Sequence, residues 1–509
     1  MTLPYLKKED GVFNLYVDNK PYIALAGEIH NSSASDLNYM RDNVWPNLRG
    51  LHLNTVIAPV YWELIEPNPG EFDFELVEGI IEQAREENVR LVLLWFGLWK
   101  NGVSSYVPAW VKRNKETYFR TAYRNQTTSD TISPLCEEAI KADANAFRQF
   151  MSHLKKVDSD HHTVIMVQVE NEIGFLGSNR DYSDAANERF NLLIPDEVGA
   201  VFERSGTWKE AFGYEAEEYF MAYHYARAVE LIASNGIEEY PLPVFVNAWL
   251  EQFPWNPGSY PSGGPIAKVI PLWKATAPSI CLYAPDIYVE NFTEVCEEYT
   301  SGNENPLFIP EARRDVASVA KVFYAFGKYN ALCYSPFGIE DFLAPPKEDS
   351  DYDPSVLISL NIDFSAFDAT GTGSYLAQSY KLLSNMLGVI QENRGTGKMT
   401  GFFQNNEPGC ILSFSKYNLK VTYKLKKDGK PLSGGLVIEA NDNEFFVVGI
   451  GFSVEFLLKE GDYNSEYVRI EEGTFVQDEW VRGRVLNGDE AAYGFSIGSR
   501  PSALRVELH

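Results

Sequence analysis

The first two thirds of the chain repeat one pattern. A short apolar run ends in polar residues, a stretch with apolar positions three or four apart follows, and the next apolar run begins. The clearest case is Val164-Ile-Met-Val-Gln-Val169, which runs into Glu170, Asn171 and Glu172. Such a run is too continuous for a half-exposed strand and too short for a membrane span. It predicts a buried parallel strand, apolar on both faces. Thr55 to Val60 reads the same way and ends at Tyr61, Trp62 and Glu63. Arg90 to Gly97 is a third such strand and enters the loop 98–110. Between the runs, Glu75 to Asn88 carries Leu76, Ile80, Ile81 and Ala84 on one helical face. Residues 36–50, 138–157 and 195–235 also read as helical.

Strands near residues 24, 57, 93, 166, 245, 282, 308 and 333 make eight. Eight strands alternating with helices are what a closed parallel barrel needs. The prediction is an α/β fold, a (β/α)8 TIM barrel over residues 1–392, with an N-terminal β-hairpin at 12–26. Residues 251–279, rich in Pro and Gly, read as a long loop. One more helix is expected over 374–390. Beyond about 395 the helical period disappears, and short strands alternate with Gly, Asp and Asn turns. That predicts a C-terminal all-β sandwich over 393–509.

The polar ends of the apolar runs are the candidate chemistry. A carboxylate at the lip of a buried strand costs several kcal/mol to desolvate unless it is paired or useful, and a barrel builds its chemistry at the carboxyl ends of its strands. Glu172 ends the fourth predicted strand and Glu311 the seventh. Two carboxyl groups facing each other across a barrel mouth can hydrolyse a glycosidic bond, one as protonated acid and one as attacking carboxylate. Their proximity raises the pKa of one of them, as the acid requires. The alternative for either residue is a salt-bridged or capping carboxylate. Glu28, His30, Asn31, Trp62, Glu63, Asn247, Trp249 and Glu340 also sit at or near predicted strand ends. Each is either a sugar contact or a structural group, and Arg313 and Arg314 are candidate partners for mouth carboxylates.

Composition narrows the classes. With 44 basic and 71 acidic residues among 509, the net charge is −27, which argues against nucleic acid or an anionic membrane as partner. Aromatic residues make up 14%, which suits both a large core and sugar stacking. The five cysteines are scattered without CxxC spacing, and the seven histidines show neither HxH nor HExxH. No metal and no cofactor is expected. The first ten residues lack an apolar signal region and Leu91 to Trp99 is too short to span a bilayer, so a cytoplasmic location is expected. A homo-oligomer remains open.

Several segments resemble glycoside hydrolase family 35, the β-galactosidases of clan A, with some features of family 42. They are Ala26-Gly-Glu-Ile-His-Asn-Ser32, Gly50-Leu-His-Leu-Asn-Thr-Val56, Trp62-Glu-Leu-Ile-Glu-Pro-Asn-Pro-Gly-Glu-Phe-Asp-Phe74, Val107-Pro-Ala-Trp-Val111 and Gln168-Val-Glu-Asn-Glu-Ile-Gly174. The C-terminal part resembles a domain attached to one bacterial branch of that family. The resemblance implies that Glu172 is the acid/base, Glu311 the nucleophile, Asn171 the partner of the 2-hydroxyl, and Tyr288 the group that orients Glu311. Glu28, Trp62, Trp99, Asn101 and Trp249 are the further sugar-binding candidates. The chain departs from the family at Pro59, at Asn101 where a hydroxyl-reading Glu is usual, and around Ile309-Pro-Glu-Ala. The implied activity is a retaining exo-β-galactosidase acting on an oligosaccharide or glycoside. The alternatives are a β-glycosidase of other specificity, such as a β-glucosidase, and a non-catalytic carbohydrate-binding barrel.

Overall fold

In the computed structural model, which describes residues 2–345, 363–460, 466–491 and 495–509, the eight apolar runs form one parallel sheet. The strands are β1 (Ala24–Glu28), β2 (Thr55–Tyr61), β3 (Arg90–Lys100), β4 (Val164–Asn171), β5 (Val244–Trp249), β6 (Tyr283–Asp286), β7 (Phe308–Ala312) and β8 (Cys333–Pro336). Hydrogen-bonded neighbours follow in chain order from β1 to β6, and β8 pairs with both β1 and β7. The ring closes just beyond β6, where the Ile287 N–H donates to the Glu311 carbonyl at 2.8 Å and the Arg313 N–H to the Ile287 carbonyl at 3.2 Å. This is the expected barrel. Closure leaves no sheet edge and places every strand's carboxyl end on one rim.

The local elements follow from residue chemistry. Helix α1 (Glu75–Glu86) buries Val77, Ile80, Ile81 and Ala84. The helix expected over 36–50 is broken into three pieces, with a π-turn at Met40–Val44. Pro46 has no N–H to give the carbonyl four residues back, so Trp45 reaches Met40 instead. The N-terminal hairpin has three strands, Tyr5–Glu9, Val12–Val17 and Lys20–Tyr22. The second strand expected there divides at Ile23 into the last hairpin strand and β1. The expected loop 251–279 contains a 3-10 turn at Ala267–Val269 and a helix at Ile270–Thr276, with proline in its first turn.

The C-terminal strands form a six-stranded and a four-stranded sheet, both antiparallel. Their facing sides pack Val437, Phe445 and Val447 against Tyr417, Leu419, Val421 and Phe456. The other side of the six-stranded sheet, through Leu436, Ile438, Val448 and Ile450, joins the core of the barrel. Burial on both faces explains why Gly435-Leu-Val-Ile438 shows no alternation. The closest approach is between helix α3 (Ala317–Tyr329) and strand Met399–Phe403. A Cβ on Gly327 would lie 2.7 Å from the Gly401 nitrogen, so the two backbones touch only because both residues are glycine.

One buried pair holds β3 and β4 together below the rim. Asp143, on helix α2 (Glu137–Asp158), accepts from the Trp95 indole N–H at 2.7 Å and the Leu98 N–H at 3.0 Å. Glu170 accepts from the Trp99 N–H at 2.6 Å. A Cβ on Gly97 would lie 2.6 Å from both Asp143 Oδ2 and Glu170 Oε1, so the glycine makes room for the two carboxyls. Both are fully buried. Burial pushes Asp143 up to about 6. Burial and the neighbouring Asp143 charge push Glu170 well above the carboxylate range. Burial beside Asp143 therefore favours the protonated form of Glu170.

Two outcomes follow. Gly327→Val forces backbone apart at the α3 contact and should cost about 1–3 kcal/mol, read as a lower thermal midpoint with activity per folded molecule unchanged. For the carboxyl pair, folded-state pKa values lie above the unfolded values near 4, so the folded state binds the extra proton. That stability is present below about pH 4 and is lost as pH rises through the folded pKa values. Glu170→Gln keeps an acceptor for the Trp99 N–H without a titrating proton. Its unfolding free energy should fall less than wild type between pH 5 and pH 8, by on the order of 1–3 kcal/mol, measured by urea denaturation at both pH values.

Candidate active site

The rim gathers side chains from six strands. At β4 the regular strand fails. Glu170 and Glu172 both adopt left-handed backbone, φ 63° and 47°, a conformation that costs a non-glycine residue about 1–3 kcal/mol and persists only when its surroundings hold it. The Glu172 N–H donates to Asn247 Oδ1 at 2.8 Å, and the carbonyls of Asn171 and Glu172 accept from Asn101 and Gly102. As a result, Glu170 points away from the mouth toward helix α2 and Glu172 points into it. The regular alternation that would set both on one face does not apply.

Glu172 and Glu311 come together, and a third acid joins them. One carboxylate oxygen from each of Glu172, Asp286 and Glu311 lies within 4.8 Å of the others, and all three residues are buried. Burial, then the Glu311 charge, pushes the Glu172 carboxyl up to about 8, with Lys100 and a hydrogen bond to Asp286 pulling the other way. Asp286 is driven well above its usual range by burial and then by Glu311 and Glu172. Asn247 ties the two together, since its amide donates to Asp286 Oδ2 at 2.7 Å while its oxygen holds the Glu172 backbone. Three carboxylates so spaced can also hold a hard cation; burial and mutual repulsion favour a proton on Glu172 and Asp286.

Glu311 is fixed from two sides. The Tyr288 hydroxyl donates to Oε2 at 2.6 Å, and the Asn171 amide lies 3.5 Å from Oε1. Burial and the Glu311 charge hold the Tyr288 phenol far above its normal range, which keeps it a donor. Its ring stacks on Phe367 at 5.0 Å. Behind it, Arg313 donates to the Tyr288 carbonyl at 3.1 Å and to Asp315 at 2.6 Å, and Lys430 of the C-terminal sheets donates to Asp315 at 3.2 Å.

Glu28 ends β1. A Cβ on Gly27 would collide with Ile339 outside the sheet, so by alternation Glu28 faces the barrel interior. Both its carboxyl oxygens are buried and without a hydrogen-bond partner. Burial and then Glu311 push its pKa well up, opposed by Lys100.

The remaining candidates divide. Lys100, which the sequence reading passed over, stands in the mouth. Its ammonium donates to Asn171 Oδ1 at 2.6 Å and lies over the Phe96 ring. Asn101 is half-buried in the turn behind it, with Oδ1 buried and unpartnered. Two expected sugar contacts are corrected. Trp99 is fully buried, donates to the Ile132 carbonyl at 2.9 Å and packs edge-on against Tyr225. Trp62 is fully buried and donates to Glu66 at 2.8 Å. Both indoles are spent on packing because the residue beside each, not the indole, meets the mouth or rim. Trp249 stands half-exposed at the rim, donating to Gln252. Glu340 accepts from the His30 N–H and the Ser33 hydroxyl, and Asp341 accepts from His30 and Arg314, bracketing β1 to the loop after β8. Glu63 pairs with Lys112 at 2.9 Å, and the Asn31 carbonyl accepts from Tyr61. Lys100 and Asp286 show the sequence feature that Glu172 shows, a charged residue ending an apolar run.

Residues 41–219 match the glycoside hydrolase family 42 model, described as β-galactosidase, and residues 376–498 match a domain of unknown function, DUF5597. A β-galactosidase of Xanthomonas manihotis is 26% identical over 222 residues, 38% of this chain and 34% of that protein. The crystal structure of β-galactosidase from Bacillus circulans sp. alkalophilus superimposes with a TM-score of 0.50 at 14% identity, over 72% of this chain and 57% of that one. The chain thus spans about a third of the curated relative and somewhat over half of the solved one. Over its barrel it is similar to the β-galactosidases of glycoside hydrolase clan A, and the model it matches is that of family 42.

Proposed function

We propose that the protein is a retaining, exo-acting glycoside hydrolase that removes a terminal β-linked galactose by double displacement. The observation that carries the reading is the carboxyl pair: one oxygen of Glu172 and one of Glu311 lie within 4.8 Å, with Glu172 pushed up to about 8 and Glu311 held by a phenol. Retaining enzymes set their carboxyls about 5–5.5 Å apart, whereas inverting enzymes leave about 6.5–9.5 Å for a water. A gap this narrow suits direct attack by Glu311 on the anomeric carbon.

In the first step the Glu311 carboxylate forms a bond to the anomeric carbon as the glycosidic bond breaks, and Glu172 gives its proton to the leaving oxygen. In the second, Glu172 takes a proton from water, whose oxygen replaces Glu311 at that carbon. Tyr288 orients Glu311, Asn171 meets the 2-hydroxyl, Glu28 contacts the sugar, and Trp249 lines the rim. Galactose is favoured by the likeness to β-galactosidases, and the family 35 kinship rests on the motifs quoted above. In the same reading residues 1–392 form the catalytic unit and 393–509 an attached β unit.

Glu311→Ala should lower kcat on an aryl β-galactoside by about 10³-fold or more while circular dichroism stays unchanged; retained activity would remove Glu311 from the role. The product first seen by proton NMR should be the β anomer, and an α anomer would overturn retention. Because the active form carries the Glu172 proton, kcat/KM should fall as pH rises past about 8. Glu172→Gln should be slower by about 10²–10⁴-fold and should lack that alkaline limb.

A further inference from the structure

We infer that Lys100 and Glu28 form a two-residue reader for the hydroxyls on C3 and C4 of a neutral terminal sugar. The inference rests on the hydrolase reading above and names the substrate class for the same site.

The positions trace one path around a sugar ring. Glu311 stands at the anomeric carbon. Asn171 Nδ2 is 3.5 Å from its Oε1, which sets Asn171 beside the next carbon and its 2-hydroxyl. Lys100 Nζ is 2.6 Å from the other end of the same amide, one step further along. Around the ring β1 lies between β3, through β2, and β7, through β8, so Glu28 at the end of β1 occupies the remaining arc between Lys100 and Glu311. Lys100 has donors left over after Asn171, because an ammonium carries three. Glu28 has four lone-pair positions or a proton and three, and uses none of them within the protein. A buried carboxyl without partners is costly; a pair of sugar hydroxyls satisfies it.

The donors and acceptors fix the class of sugar. The Lys100 ammonium, the Asn171 amide and the unpartnered Glu28 carboxyl, which burial drives toward the neutral form, are matched to hydroxyls, so the pocket suits a neutral pyranose. Depth fixes the end of the chain that is cut. Glu28 is 1% exposed and sits at the end of β1. A hydroxyl bound there is set against buried protein, so the residue removed is expected to have free 3- and 4-hydroxyls.

The test uses the full chain and the nitrophenyl β-pyranoside that wild type cleaves fastest, together with its 3-deoxy and 4-deoxy derivatives. Wild type should lose at least about 10²-fold in kcat/KM on each deoxy substrate, because a site built to bind a hydroxyl rejects the analogue lacking it. Lys100→Met and Glu28→Ala should be slower on the parent glycoside, and each should show less than about a tenfold penalty for the hydroxyl its residue contacts. The ratio is taken within one preparation, so partial folding scales both rates and leaves it unchanged. Glu28→Gln, close in shape, serves if Glu28→Ala does not accumulate. Wild-type ratios that survive in the variants, or a wild type indifferent to both deletions, overturn the inference. A wild type that cleaves no aryl β-glycoside overturns the hydrolase reading instead. In that case calorimetric binding of galactose, 3-deoxygalactose and 4-deoxygalactose to wild type and Glu28→Gln decides the hydroxyl reader: selective loss in wild type alone supports it, and equal binding or none refutes it.

Discussion

The constraint on which the site depends is desolvation of acids that cannot move apart. Closing eight strands into a ring brings Glu28, Glu172, Asp286 and Glu311 to one water-poor mouth. Four carboxylates there would repel one another and forgo hydration. Burial and mutual repulsion drive Glu28, Glu172 and Asp286 toward the neutral form, and Lys100 from β3 opposes the shift. Glu172 and Glu311 differ in their surroundings: Tyr288 donates to Glu311, whereas burial and then the Glu311 charge push Glu172 up. Two residues of one type are thus set apart by their surroundings.

Rigidity at this mouth comes from behind. The segment after Glu311 is tied through Arg313 and Asp315 to Lys430 in the C-terminal part, and Tyr288 leans on Phe367. The six-stranded sheet contributes its outer face to the barrel core, and helix α3 meets it at a glycine–glycine crossing. The β unit is therefore packed as a continuation of the barrel, and its influence on Glu311 runs through the β7 loop. On the opposite side of the ring, the buried Glu170 and Asp143 accept backbone N–H groups and pin the ends of β3 and β4. Left-handed backbone at Glu170 and Glu172 is held by these fixed points.

Much of this was legible along the chain. Apolar runs mark buried parallel strands whatever lies beside them, and seven of the eight predicted centres fall inside a barrel strand, the eighth one residue before β6. Glu172 and Glu311 were recognisable because a charge that ends such a run needs a reason to be there. Lys100 and Asp286 showed the same feature, yet Lys100 was masked by its neighbours Trp99 and Asn101, whose residue types suit a sugar site better. Trp62 and Trp99 show the limit of residue type: an indole at a strand end packs into the core as readily as it stacks on a ligand.

The sequence by itself determined the alternation of strands and helices, the change to β structure near residue 395, and the two acids worth pairing, because hydrophobic periodicity and the cost of a stranded charge are local properties. Only the tertiary structure decided which way each polar residue faces. A positive φ at Glu170 and Glu172 reverses the expected alternation, and that backbone is stable only with Asn247, Asp143 and the turn after Lys100 in place. Those partners lie on other strands and helices, up to 75 residues away along the chain, so no reading of neighbours could supply them.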